Sequence, residues 1–187
     1  MAWFKRKLAL QQVMRMALGA VLKRDPGSAL AEVAISGHLL PQDLDAVATQ
    51  LLPFDVALWH ALFLEHADAR TPEAAHALGH KFGAALVSAF VDTQRADEID
   101  RGAPDRVLQT ALSYLESVEL VADADLEENG IFFYYCQEFT RRVIPGVSLH
   151  EAALLRHQQV FDIAKQSYTA ARQAFTGLQH QYKILQD

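Results

Sequence analysis

The chain has 187 residues, of which 51% are hydrophobic and 21% charged, and its formal net charge is −6 at pH 7. This balance is typical of one globular domain and argues against intrinsic disorder. The single cysteine, Cys136, excludes an intramolecular disulfide and favours a reducing compartment, so we expect a cytoplasmic protein.

Basic residues are concentrated at the N-terminus, where residues 1–24 contain six of them and no acidic residue. The rest of the chain therefore has a strong excess of acidic side chains. Because neutralising phosphates requires a basic surface, we expect no nucleic-acid binding by the body of the protein.

The spacing of apolar residues predicts that residues 1–24 form a basic amphipathic helix. One interpretation is a first bundle helix whose basic face is in water. The other is contact with an acidic partner, or with an anionic membrane surface on the cytoplasmic side. The candidate contact residues for the second interpretation are Trp3, Lys5, Arg6, Lys7 and Arg15.

A turn and three helical segments are predicted before residue 65. Residues 25–27 predict a turn, residues 28–37 a short helix, and residues 41–52 another helix that opens with a proline. Residues 53–64 begin with a second proline and are apolar on every side of a helix. Such a helix is buried in a core or covered by a partner.

The next helix begins at Thr71-Pro72-Glu73, which supplies a cap, an N1 proline and an acid in the first turn. We expect it to continue to about residue 97. Gly79 and Gly83 are spaced by four within it, and small residues at that spacing predict close approach of another helix.

Spacings of three and four also place one acid and two histidines on a single face of this helix, where they could bind zinc or iron. A second Glu-x-x-His motif is absent from the sequence, which argues against a di-iron centre. A mononuclear site would need a further ligand, such as His60, His66, His150 or His157. Otherwise the histidines simply lie at the edge of the apolar face. The sequence therefore predicts no cofactor, with a transition metal as the alternative, bound by Glu73, His76 and His80.

An amphipathic helix is predicted after Pro104, and a second helix start near Asp125. The aromatic run at 131–139 has the composition of a strand, but we assign a helix because the sequence offers no partner strand. The run could pack between helices, cover a partner's apolar patch or line a ligand pocket. Its apolar setting predicts an inert thiol at Cys136. The candidate ligand-binding residues are Phe132, Phe133, Tyr135 and Phe139.

Residues 148–183 show the most regular pattern, because apolar or aromatic residues recur at alternating spacings of four and three. Ser148 and Glu151 form a predicted capping box at the start. Bulky and small residues alternate along this seam, which favours an internal spine over a simple dimer zipper. We expect the part beyond Gly177 to project and pair. The seam residues are His150, Leu154, His157, Phe161, Ala164, Tyr168, Ala171, Phe175, Leu178 and Tyr182.

These patterns predict an all-α, single-domain bundle of about six or seven helices over residues 1–187, with a long C-terminal helix at 148–183. Phosphate-binding glycine loops and nucleophile elbows are absent from the sequence. We therefore expect a non-enzymatic helical module that binds another protein or itself, as a homodimer, in a regulatory role. The alternatives are a metal- or apolar-ligand-binding bundle, and an enzyme whose site residues converge only in the folded chain.

Overall fold

The computed structural model describes residues 6–24, 38–67, 71–93, 102–129, 131–146 and 150–185. The predicted all-α bundle with a long C-terminal helix is confirmed. Six helices and one small sheet make up the described chain. The helices are α1 (Leu10–Leu22), α2 (Pro41–His66), α3 (Pro72–Thr93), α4 (Ala103–Asn129), α5 (Ile131–Val143) and α6 (Glu151–Gln181).

Helix α2 is the centre of the bundle and packs against each of the other five described helices. Its residues from Pro53 to Phe63 are all buried, which confirms the predicted burial of this apolar segment. The Phe54 ring centroid lies 5.5 Å from that of Tyr114 and 4.6 Å from that of Phe139. These aromatic contacts join α2 to α4 and α5.

The predicted helix boundary at Pro53 is wrong, because Pro53 lies inside the continuous helix α2. Proline lacks the N–H that would complete the helical hydrogen bond and disfavours a helix interior by about 3 kcal/mol. Complete burial of the residues on its C-terminal side outweighs that cost.

Among the described helices, α2 is also the one long and apolar enough to cross a membrane. Within its most apolar window, 72% of the residues are buried inside the bundle. A core helix surrounded by other helices needs the same composition as a membrane span, and the packing of α2 accounts for its apolar character.

Helix α6 is the longest described helix, with 31 residues, but it is not the internal spine that its pattern predicts. One face is buried and the remaining faces are partly or fully exposed. A seven-residue repeat identifies one packed face, whereas a central helix needs apolar residues all round. The helix begins at Glu151, and Ser148 of the predicted capping box lies outside the described residues. The buried residues are Val160, Ile163, Ala164, Ser167, Ala171 and Phe175.

The two ends of the described chain form a parallel sheet of two strands, β1 (Arg6–Ala9) and β2 (Tyr182–Leu185). Leu8 is paired with Ile184. Both segments were predicted as parts of helices, and the segment beyond Gly177 was predicted to project. Both predictions are wrong, because β2 returns to the N-terminal segment. Pairing between residues so distant in sequence leaves no local periodicity to detect.

The two glycines of α3 that predicted close approach of another helix face side chains of α2 and α4. A Cβ at Gly79 would lie 4.0 Å from Nε2 of His60 in α2, and a Cβ at Gly83 would lie 3.3 Å from Cδ2 of Leu108 in α4. The two glycines of α3 therefore pack against side chains from two different helices.

Four further helix predictions have different outcomes. Thr71 caps α3 as expected, since its hydroxyl accepts a hydrogen bond from the Ala74 N–H at 3.2 Å. The helix start predicted near Asp125 is wrong, because α4 is continuous to Asn129. The aromatic run forms helix α5, as assigned. The short helix predicted at 28–37 lies outside the described residues.

Replacing Gly79 with alanine should raise the free energy of unfolding by about 0.5 to 1 kcal/mol, because the added methyl group meets only an ordinary contact and alanine favours helix. Gly83→Ala should gain less or lose stability, since Leu108 must move. Urea unfolding of both variants at pH 7 measures the difference. A Gly79→Ala variant less stable than Gly83→Ala would contradict this packing.

Candidate functional site

An open groove lies between α5 and the first turns of α6, which we call the α5–α6 groove. It encloses about 630 Å³. Its apolar lining consists of Phe133, Ile144, Leu154 and Phe161. Its polar lining consists of Gln137, Thr140, Arg141, His157 and Gln158.

A second cavity of about 640 Å³ adjoins the α5–α6 groove. The two share Ile144, Gly146 and His157, so they form one surface depression that extends to the start of α2. Nε2 of His157 lies 3.1 Å from the carbonyl oxygen of Gly146. Gly146 has a positive φ of 92°, which favours glycine. Gly146 is thereby held beside the first turns of α6.

An ion pair between Asp43 and Arg156 contributes to the lining of this second cavity. Arg156 Nε and Nη2 lie 2.8 Å and 2.6 Å from the two carboxylate oxygens of Asp43. The same carboxylate accepts the Leu40 N–H at 2.8 Å. Asp43 is buried at the N-terminus of α2, so one acid caps this helix and fixes α6 beside it.

Of the four aromatic candidates, only Phe133 lines the groove. Phe132 stacks on Tyr168, with ring centroids 4.5 Å apart. Tyr135 and Phe139 are fully buried in the core. The aromatic run therefore serves mainly to pack the helices together, and the Phe133 ring faces the groove.

The apolar groove residues that the sequence did not single out as a site are Ile144, Leu154 and Phe161. A signal for two of them was present, because Leu154 and Phe161 belong to the seam of α6. Ala164, Ala171 and Phe175 of the seam are buried, whereas Leu154 remains 48% exposed. The uncovered end of this seam is thus its beginning, and not the part beyond Gly177.

Cys136 is buried, and this burial raises the pKa of its thiol to about 12. A thiol with such a pKa carries almost no thiolate at neutral pH and is a poor nucleophile. The backbone carbonyl of Cys136 accepts a hydrogen bond from the Thr140 hydroxyl at 2.8 Å. The predicted inert thiol agrees with this environment.

Two of the three candidate metal ligands come together. Nε2 of His76 and Nε2 of His80 are 3.0 Å apart, and both side chains are exposed on α3. Glu73 is exposed one turn earlier. Within the described ranges, no group of three or more His, Cys, Asp or Glu residues is placed to hold a metal ion. The described chain therefore offers a pair of imidazoles for metal binding.

The N-terminal basic residues differ in their surroundings. Arg6 and Lys7 are exposed on β1. Arg15 donates two hydrogen bonds, of 2.6 Å and 2.7 Å, to the carboxylate of Asp92, so its charge is already matched. Trp3 and Lys5 lie outside the described residues, and contact with a membrane or acidic partner stays a prediction.

Two further ionisable groups are buried on α2. His60 stacks on Phe82 with centroids 4.6 Å apart, its Nε2 has no hydrogen-bond partner, and burial lowers its pKa to about 4. Burial raises the pKa of Asp55 to about 6, although Arg24 lies 3.2 Å away and, with Ser167, opposes the shift. Neither group faces the α5–α6 groove, and we assign both to the core.

Comparisons with known proteins leave the function to be argued from geometry. No protein-family model matches the chain, and neither curated proteins nor solved structures gave a match. The α5–α6 groove and the His76–His80 pair are therefore the features from which a function is inferred.

Arg156→Met should lower the free energy of unfolding at pH 7 by about 2 to 3 kcal/mol, because it leaves the buried carboxylate of Asp43 without its cation. The matched control is Arg172→Met, which breaks the exposed ion pair with Glu65 and should cost less than about 1 kcal/mol. Urea unfolding measures both. Equal losses would show that burial does not strengthen the Asp43–Arg156 pair.

His60→Leu should flatten the pH dependence of stability between about pH 6.5 and 4. In the folded chain His60 stays neutral down to about pH 4, whereas in the unfolded chain histidine binds a proton near pH 6.5. The wild type should therefore lose up to about 3 kcal/mol on acidification that the variant keeps.

Asp55 acts in the opposite direction, since its raised pKa removes stability as the pH increases from 3.8 to about 6. The stabilities of the wild type and His60→Leu are therefore compared at each pH, because the contribution of Asp55 is the same in both proteins. Exposed His180, replaced by glutamine, is the control and should leave the pH profile unchanged. Parallel wild-type and His60→Leu profiles would refute a neutral buried imidazole.

Proposed function

We propose that this protein is a non-enzymatic interaction module that binds an apolar helical segment of a partner protein in the α5–α6 groove. The observation that carries the proposal is exposed leucine beside an apolar groove. Leu154 and Leu155 are 48% and 43% exposed. Leu154 lines the groove together with Phe133 and Phe161. Large apolar side chains left in water around a concavity are typical of an interaction surface.

The shape of the groove favours a polypeptide over a small molecule. A small-molecule site encloses most of its ligand, whereas this groove is open to solvent and continues into the second cavity. An amphipathic helix that lays its apolar face in a groove leaves its other face in water. The length of the depression, from α5 to the start of α2, suits such a segment.

The polar residues at the rim of the groove indicate that a bound segment would make mainly apolar contacts and few new ion pairs. Arg141 already makes two hydrogen bonds, of 2.7 Å and 2.8 Å, to the carboxylate of Glu138. Gln137 and Gln158 are uncharged. Protein interfaces commonly combine an apolar centre with a polar rim of this kind. The bound segment would therefore be recognised mainly by its apolar side chains.

An apolar small molecule is the second candidate for the same groove. It is supported by the predominantly apolar lining and by Arg141 and His157, which could hold a carboxylate or another polar head. The Cys136 thiol is inert and Asp55 is buried in the core, so neither residue supplies a catalytic group at the groove. Binding is therefore favoured over catalysis for either occupant. A cytoplasmic location is part of the proposal, supported by the single cysteine.

A photocrosslinking amino acid at position 154 tests the proposal in the native cell. We expect a discrete protein adduct from position 154 and none from position 112, because Leu112 is 38% exposed on α4 and does not line the groove. The adduct partner is then identified by mass spectrometry and purified. An adduct with the chain itself would assign the groove to a homodimer, and a lipid or metabolite that co-purifies with the wild type would favour the small-molecule candidate.

Calorimetry with the purified partner completes the test. Leu154→Asp should weaken binding by more than about tenfold, since a charge in an apolar contact removes at least the energy of one important interface residue. Leu112→Asp should leave the affinity unchanged. Equal effects of the two variants, with both folded by circular dichroism, would contradict docking in the α5–α6 groove.

A further inference from the structure

The two imidazoles of α3 already lie near the separation that a shared metal ion requires. Zinc binds histidine nitrogen at about 2.0 to 2.1 Å, so two nitrogens on one tetrahedral zinc lie roughly 3.3 Å apart. Nε2 of His76 and Nε2 of His80 are 3.0 Å apart, and the rings are nearly perpendicular, at 86°. A small adjustment of the exposed side chains admits the ion.

The described chain supplies only part of such a site. Tetrahedral zinc takes four ligands, and no group of three metal-binding residues occurs within the described ranges. Two imidazoles leave two positions open. A second copy of the chain offers the same exposed pair and would complete the coordination with four identical donors.

The surface around the pair allows a second copy to approach. The outward positions of α3 recur at alternating spacings of four and three, which is the spacing of a helix–helix seam. Alanines flank His80 at positions 77 and 84, so no large side chain separates it from an approaching helix. All of these outward residues are exposed, namely Glu73, Ala77, His80, Ala84, Val87 and Val91.

We propose that a zinc ion joins two copies of this protein through His76 and His80 of each. Helix α3 of one copy crosses α3 of the other in antiparallel orientation, with the two-fold axis between the histidines. His76 of one copy then lies beside His80 of the other, and the four imidazoles surround one ion. The contact is isologous, so it closes as a dimer and does not propagate. This inference is independent of the α5–α6 groove.

Zinc titration of the chelator-treated full-length protein tests the proposal. Sedimentation velocity and native mass spectrometry should show a monomer without zinc and a dimer that holds one zinc ion per two chains. His76→Ala and His80→Ala should each weaken zinc binding by more than about tenfold and abolish the dimer, because loss of a direct ligand costs at least as much as loss of an outer partner.

The matched control is His180→Ala, which removes an exposed histidine from α6 and should behave as the wild type. Circular dichroism of each variant without zinc verifies that the fold is retained. One zinc ion per chain without dimerisation would overturn the shared site. So would a dimer that forms equally in the double variant His76→Ala/His80→Ala, or zinc uptake that this double variant does not reduce.

Discussion

The burial of α2 is the constraint on which the rest of the structure depends. From Pro53 to Phe63 every residue of this helix is buried, so its surface must be covered on all sides. The other five described helices provide that cover. Each of them needs only one apolar face, because its opposite side is in water. Phe54, which contacts Tyr114 and Phe139, lies where the covering helices α4 and α5 meet α2.

Burying most of a helix also buries some of its polar residues, and three polar residues of α2 are buried. Asp43 is paired with Arg156 of α6, and Asp55 is bonded by Arg24, just beyond α1. His60 stacks on Phe82 of α3 as a neutral ring. A buried carboxylate is tolerated where a cation reaches it, so the two acids restrict how α1 and α6 can be placed around α2.

The candidate groove lies where α5 runs beside the first turns of α6 without covering the apolar seam there. The middle of the seam is buried against the bundle, whereas Leu154 and Phe161 at its beginning line the groove. At the other end of α6, the segment that was predicted to project forms β2 and pairs with β1. The exposed histidines of α3 lie outside the lining of this groove, so the two proposed binding surfaces are separate.

Local patterns predicted most of the helices, through their apolar faces, the cap at Thr71 and the apolar segment after Pro53. The same patterns misplaced two boundaries, at Pro53 and near Asp125, which lie inside continuous helices. The sequence by itself also placed His76 and His80 on one helix face, since a spacing of four fixes that geometry. Only the tertiary structure decided which helix is central, which seam residues stay exposed and that the chain ends pair as strands. Those outcomes depend on contacts between residues far apart in sequence, and periodicity reports that a face is apolar without reporting what covers it.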